Sequence, residues 1–164
     1  MSDIVIDKGR TTLKDGFMNR LLSSVLGLAL VIFSSISFAD QSKDFGDYTI
    51  HYSAFTTDVL SQDVARAYNI TRSKNRAMLN ISVLKKVMET SVQPVKAAIE
   101  STATNLSAQL KTIEMRELSD QGAIYYIAEL PVAHRETLKF NIAVTPDGEE
   151  NTYRFSFDQQ FFTE

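Results

Sequence analysis

From Tyr48 onward, apolar and polar residues alternate with a period of two, which sends successive side chains to opposite faces of a strand. Tyr48, Ile50 and Tyr52 interleave with Thr49, His51 and Ser53. Met78 to Lys86 is apolar and branched, with Asn80 and Ser82 between. Val95, Ala97, Ile99, Ser101 and Ala103 form a further row, and Leu110 to Leu118 alternates with charge. Ile124, Tyr126, Ala128 and Leu130 share one face, as do Leu138, Phe140, Ile142 and Val144. Tyr153, Phe155 and Phe157 close the series. The pattern predicts about seven strands. Turn signals at Gln93-Pro94, Asp120-Gln121-Gly122 and Pro146-Asp147-Gly148 separate several of them. Short links between sequential strands favour antiparallel pairing. Two sheets packed face to face would bury the apolar side of every strand. The expected fold is therefore all-β, an antiparallel immunoglobulin-like β-sandwich, with a partly open barrel as the second arrangement. One segment breaks the period. Ser61 is a capping-type residue ahead of Gln62-Asp63-Val64-Ala65-Arg66-Ala67. It predicts a single short helix over roughly residues 60–68, between the first two strands.

The N-terminal quarter has a different pattern. Arg20 precedes an apolar run from Leu21 to Phe33, followed by serines and Ser37-Phe38-Ala39. A basic flank, a short apolar core and small residues at the end are the layout of a secretory signal peptide. A bilayer span needs about 20 apolar residues, more than this run supplies. Residues 18–39 are expected to be the signal peptide, cleaved between Ala39 and Asp40, and to be the protein's only link to a membrane. Met18-Asn19-Arg20 makes a complete signal start, so residues 1–17 are expected to be an extended gene start or a disordered tail, with Met1 and Met18 both open as the initiator. Residues 40–164 are expected to form a single periplasmic domain.

Composition narrows the chemistry. The chain has no cysteine, so an exported domain of this kind must be stabilised by packing without disulfides. Of 17 basic and 20 acidic residues, four and three precede Asp40, which leaves 13 against 17 in the expected domain. That acidic balance speaks against nucleic acid as a partner. Charge is unevenly spread. Arg66, Arg72, Lys74, Arg76, Lys85 and Lys86 lie between Val64 and Met88 with no Asp or Glu among them. Within this segment Arg72, Lys74 and Arg76 flank an expected turn. They are the candidate binding residues, a basic patch facing an anionic surface or an envelope protein. A solvated loop balanced by nearby acids is the plainer alternative.

Gly46-Asp47-Tyr48-Thr49-Ile50-His51-Tyr52, the run from Val64 to Lys74, and Leu79-Asn80-Ile81-Ser82-Val83 resemble a family of small exported gammaproteobacterial proteins classed as a domain of unknown function. The resemblance covers most of the expected domain and is strongest from Phe45 to Lys86. It implies a periplasmic β-sandwich. It brings no catalytic residues with it.

Catalytic and metal motifs are missing from the sequence. There is no His-x-x-x-His, no cysteine and no acidic pair near His51 or His134, so no metal or other cofactor is expected. His51 falls on the polar face of its strand and is expected to face solvent, while Met78 and Met115 are expected to fill the core. There is no Gly-x-Ser-x-Gly elbow and no phosphate-cradling loop. Glu149-Glu150 follows Pro-Asp-Gly and is expected to be a solvated hairpin tip. The expected function is non-enzymatic: a monomeric interaction or accessory domain of the bacterial envelope. The alternative is a periplasmic small-ligand or metal-binding module. A ligand module should show a pocket lined by Tyr52, Tyr68 or Tyr125 with polar groups. An interaction domain should show an exposed edge strand or apolar patch. The protein recovered from the envelope should begin at Asp40. Its intact mass tests this, and a species that retains Leu21 to Phe33 would overturn it.

Overall fold

The computed structural model describes residues 41–88 and 91–164, and the expectations for residues 1–17, the signal peptide and its cleavage site lie outside them. The described residues form ten strands: β1 (Ser42–Phe45), β2 (Tyr48–Thr56), β3 (Arg76–Met88), β4 (Ser91–Pro94), β5 (Ala97–Asn105), β6 (Leu110–Ile113), β7 (Arg116–Asp120), β8 (Ala123–Pro131), β9 (Thr137–Pro146) and β10 (Tyr153–Gln160). One sheet runs β1-β2-β3-β8-β7, with β4 extending it beside the far end of β3, and the second runs β10-β9-β5-β6. Every pairing is antiparallel. The two sheets bury one face each, as the period-two pattern requires. Ile50, Leu79, Ile81 and Val83 of the first sheet and Leu138, Phe140 and Val144 of the second are among the least exposed side chains. Tyr52 packs in tilted contact on Phe155 and Phe157 at 4.9 and 4.5 Å between ring centres.

The strand count differs from the expectation of about seven for two physical reasons. Strands β1 and β4 are short and mostly exposed, so no alternation marks them. The single strand expected over Leu110–Leu118 is two, β6 and β7, in different sheets. At Glu114 and Met115 the chain crosses from one sheet to the other. As a result Ile113 joins the inter-sheet core, while Leu118 packs on the outer side of the larger sheet.

Helix α1 (Gln62–Ala67) lies where Ser61 predicts it, and the Ser61 hydroxyl accepts the Val64 N–H at 3.2 Å. Its Ala65, with Ile70, covers Met78 and Ile127 on the outer face of the larger sheet. Strand β8 is thereby buried on both faces. A 3-10 turn, Thr57–Val59, leads into α1. Thr57 is fully buried and ties down the loop that follows the helix: its hydroxyl donates to the Thr71 carbonyl at 2.7 Å and accepts the Ser73 N–H at 2.9 Å.

A polar cluster joins the two sheets at one end. Tyr126 on β8 accepts the Ala97 N–H of β5 at 2.8 Å, and Lys96 reaches Glu117 of β7 at 2.8 Å. The Lys96 ammonium holds the Glu117 carboxyl below the usual carboxylate range, and burial pushes the Tyr126 phenol up.

Thr57→Val keeps the shape and deletes the hydroxyl, which strands the Thr71 carbonyl and the Ser73 N–H. It should lower the unfolding free energy by about 1–3 kcal/mol, whereas Thr57→Ser should lose much less, because an unmade buried bond costs more than a removed methyl at the edge of a turn. Denaturant unfolding of the two variants checks this.

Candidate functional site

The outer face of the four-stranded sheet carries a hollow. Alternation that sends Leu138, Phe140, Ile142 and Val144 inward sends Asn141 and Ala143 outward. The pairing register then lines up outward rows across the sheet. Arg154 stands opposite Ala143, which stands opposite Glu100. Ser156 stands opposite Asn141, then Thr102, then Thr112. Ala143 ends at its Cβ between two long charged neighbours, and Thr102, Thr112 and Ser156 are short. The result is an open trough of about 870 Å³, closed on one side by Glu114 and Met115, where the chain crosses between sheets. Among the described residues, no hydrogen bond or ion pair engages the side chains of Glu100, Thr102, Glu114, Asn141, Arg154 or Ser156. This surface offers two carboxylates, one guanidinium, an amide and several hydroxyls, all unspent, over a long shallow floor.

A second, smaller hollow of about 130 Å³ opens under α1, lined by Leu60, Val64, Tyr68, Met78, Asn80 and Tyr125 among others. The buried Oδ1 of Asn80 has no hydrogen-bond partner there. Tyr68 donates its hydroxyl to Asp120 at 2.8 Å, and that carboxylate raises the phenol's pKa. Tyr68 and Tyr125 thus line a pocket, as the sequence suggested for a ligand module, while Tyr52 belongs to the core.

The basic trio is divided among three settings. Arg76, on β3, lies 3.3 Å from the Glu129 carboxylate, which also accepts the Thr71 N–H at 3.3 Å. Arg72 donates to the Asp58 carbonyl at 2.7 Å and so fastens the loop to the 3-10 turn. Lys74 is exposed, with no ion pair among the described residues. The wider basic segment is balanced likewise, by Asp63 beside Arg66, Glu149 beside Lys85 and Asp44 beside Lys86.

Other expectations need correcting. Glu149 is no free hairpin tip: it accepts the Tyr48 hydroxyl at 2.8 Å, which raises that phenol's pKa, and lies 4.0 Å from Lys85. His51 is half-buried and engaged instead of facing open solvent. His134 accepts the Thr163 N–H at 3.3 Å and sits 3.6 Å from Glu164. Among the described residues, no group of three or more His, Asp or Glu is placed to hold a metal ion. The sequence did not point to the trough. Its residues were legible as the polar faces of four strands, but which of them stand side by side depends on register.

The family model of DUF4426, a domain of unknown function, matches residues 42–164. No curated protein matches the chain. A solved DUF4426 family protein from Pseudomonas aeruginosa is 35% identical, with a TM-score of 0.65 over 77% of this chain and 98% of that one. Two structures of FetP from uropathogenic Escherichia coli share the fold at a TM-score of 0.53. One is a copper-bound variant, 8% identical over 75% of this chain and 95% of that one. The other, recombinantly expressed in the periplasm, is 7% identical over 76% and 94%.

The divided trio makes a stability prediction. Arg76→Ala leaves the half-buried Glu129 short of a partner and should cost about 1–2 kcal/mol. Lys74→Ala should change stability by less than about 0.5 kcal/mol. Urea unfolding of the two variants separates them, and equal effects would show that the Arg76–Glu129 pair does not brace the loop.

Proposed function

The chain belongs to the DUF4426 family, and from that premise we propose that it is a non-enzymatic interaction domain of the bacterial envelope. The observation that carries this reading is the trough: a long, shallow, open surface whose charged and hydroxyl side chains have no partners within the described chain. A catalytic site for a small substrate is usually an enclosed, largely apolar pocket with a few convergent polar groups. The trough is open and shallow instead of enclosed. Its length and its scattered donors and acceptors suit an extended polypeptide segment of another envelope protein. Glu100 and Glu114 would select a segment carrying basic residues. Export, with the periplasm as compartment, is part of the same proposal and rests on the signal-peptide pattern. The FetP neighbour expressed in the periplasm is compatible with it.

The unpaired Asn80 oxygen favours a second reading, a small-ligand module. A compact apolar group carrying one hydrogen-bond donor would fill the hollow under α1 and satisfy that oxygen. The copper of the FetP variant is not carried over, because this chain lacks a matching cluster of ligands among its described residues.

A photo-crosslinking side chain placed at Thr102 in intact cells should capture a partner, and the same probe at Lys74 should not. Ala143→Arg, which lays a long cation across the trough, should abolish the Thr102 crosslink while the melting temperature stays within a few degrees. Raising the salt concentration should weaken capture, since exposed charges are screened over about 8 Å at physiological ionic strength. Capture at Lys74 alone would move the partner to the basic loop. Absence of any capture at Thr102 would remove the trough reading.

A further inference from the structure

Strand β10 ends its sheet, and among the described residues only β9 pairs with it. The hydrogen-bond parity shows what its other side presents. The Phe161 N–H donates to the Glu136 carbonyl at 2.9 Å, continuing the register in which Tyr153 faces Val144. Residues of odd number on β10 therefore turn their N–H and C=O groups toward β9. Arg154, Ser156, Asp158 and Gln160 turn theirs away from it, because antiparallel ladders alternate in this way. The β9 side agrees: the even-numbered Glu136, just before the strand, bonds toward β10, and the odd-numbered Asp147, just after it, donates its N–H to Lys96 on the β5 side at 2.8 Å.

The edges of the two sheets are not alike. β1 and β6 are four residues long and β7 is five, while β10 runs for eight with no proline, glycine or register shift. A long regular edge is a template for another strand. We propose that it is filled by β10 of a second copy of this chain, antiparallel, about a two-fold axis at Ser156. The sequence of the strand selects that register. With the axis at Ser156, Arg154 of each copy stands opposite Asp158 of the other, and Phe155 opposite Phe157 on the core side. An axis at Arg154 or at Asp158 sets like charges face to face. An axis at Phe155 or Phe157 puts serine, threonine or glutamine opposite the charges. Opposite charges and aromatic pairs directly across a ladder stabilise it, and like charges oppose it.

Two features of the single chain fit this occupant. Neither Arg154 nor Asp158 has an ion-pair partner among the described residues, and both are exposed. Phe155 and Phe157 pack against the main core yet remain only partly buried, so pairing would cover them further. The Ser156 pair and the two Arg154–Asp158 pairs would each exchange two backbone bonds. The paired sheets would form one continuous surface, with the two troughs on the same face. A dimer would thus replace the monomer expected from the sequence, and its formation needs nothing bound in either trough.

The test uses the protein purified from the cell envelope, followed by sedimentation velocity across a wide concentration range. Reversible dimerisation is expected. Ser156→Pro deletes an N–H that points away from β9, so it breaks no bond within the chain, and proline is tolerated at such edge positions. It should yield a folded monomer, with folding checked by circular dichroism. Arg154→Asp and Asp158→Arg should each weaken self-association about tenfold or more, by setting like charges opposite each other. Mixing those two variants should restore association, because in this register each meets its complement at both charged positions. The chain has no cysteine, so Ser156→Cys provides an independent readout. Paired Cα atoms about 5.5 Å apart lie within disulfide range, and mild oxidation should give a covalent dimer. A wild-type protein that stays monomeric at every concentration overturns the proposal. So does a dimer that survives Ser156→Pro, or a charge-swapped pair that fails to recombine.

Discussion

The contact between the two inner sheet faces governs the rest of the molecule. Ile50, Leu79, Ile81, Val83, Leu138, Phe140 and Val144 are almost wholly removed from water. Each such side chain contributes about 1.5–3 kcal/mol of burial. With no cysteine in the chain, no cross-link supplements that packing. The same contact fixes register. A slip of one residue along β9 would turn Phe140 and Ile142 to solvent and Asn141 and Ala143 into the core, so that slip is forbidden. Once the inner rows are locked, the outer rows follow without further choice. Glu100, Ala143 and Arg154 stand in line because Ser101, Ile142 and Phe155 do so on the other face.

That coupling explains what could be read from the sequence. Strands with one dry face write their position into the chain, and β2, β3, β5, β8, β9 and β10 are all legible there. The helix is legible too, since a serine cap is a local signal. Strands β1 and β4 are mostly exposed: Ser42-Lys43-Asp44 and Ser91-Val92-Gln93 have no dry face, so no alternation in their side chains marks them as strands. The crossing at Glu114–Met115 was hidden because alternation continued on both sides of it, though the buried faces belong to different layers. The trough was hidden because it is a product of cross-strand neighbours, such as Glu100 and Ala143 or Arg154 and Ala143, that only the register brings together. Thr57 illustrates a further limit. Nothing around it in sequence distinguishes it from Thr56, and its importance comes from two loop groups that fold back onto it.

The basic segment shows how linear charge can mislead. Six cations without an acid between Val64 and Met88 read as a patch. In the fold, Arg76 meets Glu129, Lys85 meets Glu149 and Lys86 meets Asp44, all from strands or turns distant in sequence. Antiparallel pairing sets strands from distant parts of the chain side by side, so charge that is segregated in sequence is mixed in space. Of the basic trio only Lys74 is left without an ion pair among the described residues or a bond that ties it to the fold, and further unspent charge lies in the trough and along β10, where the sequence shows no run of one sign. Isolated ions such as Glu100, Glu114, Arg154 and Asp158 are therefore as available to a partner as any in the cluster.

Arg154 belongs to both of these places. It rims the trough on the outer face, and its backbone lies on the open edge. A charge on an edge strand has two effects: it discourages indiscriminate pairing, and it favours the few partners whose own charges complement it. On β10 the two charges are four residues apart and of opposite sign, with Ser156 midway. An uncharged strand of this length would accept many registers and many partners. This one ranks its own sequence, in one register, above the shifted alternatives, and so can remain unblunted without inviting every exposed strand. Filling the edge would also hold each Arg154 against the other copy's Asp158, leaving the carboxylates of Glu100 and Glu114 as the dominant charge over each trough. Self-pairing at the edge would thereby make the trough a more strictly cation-selecting surface than it is in a single chain.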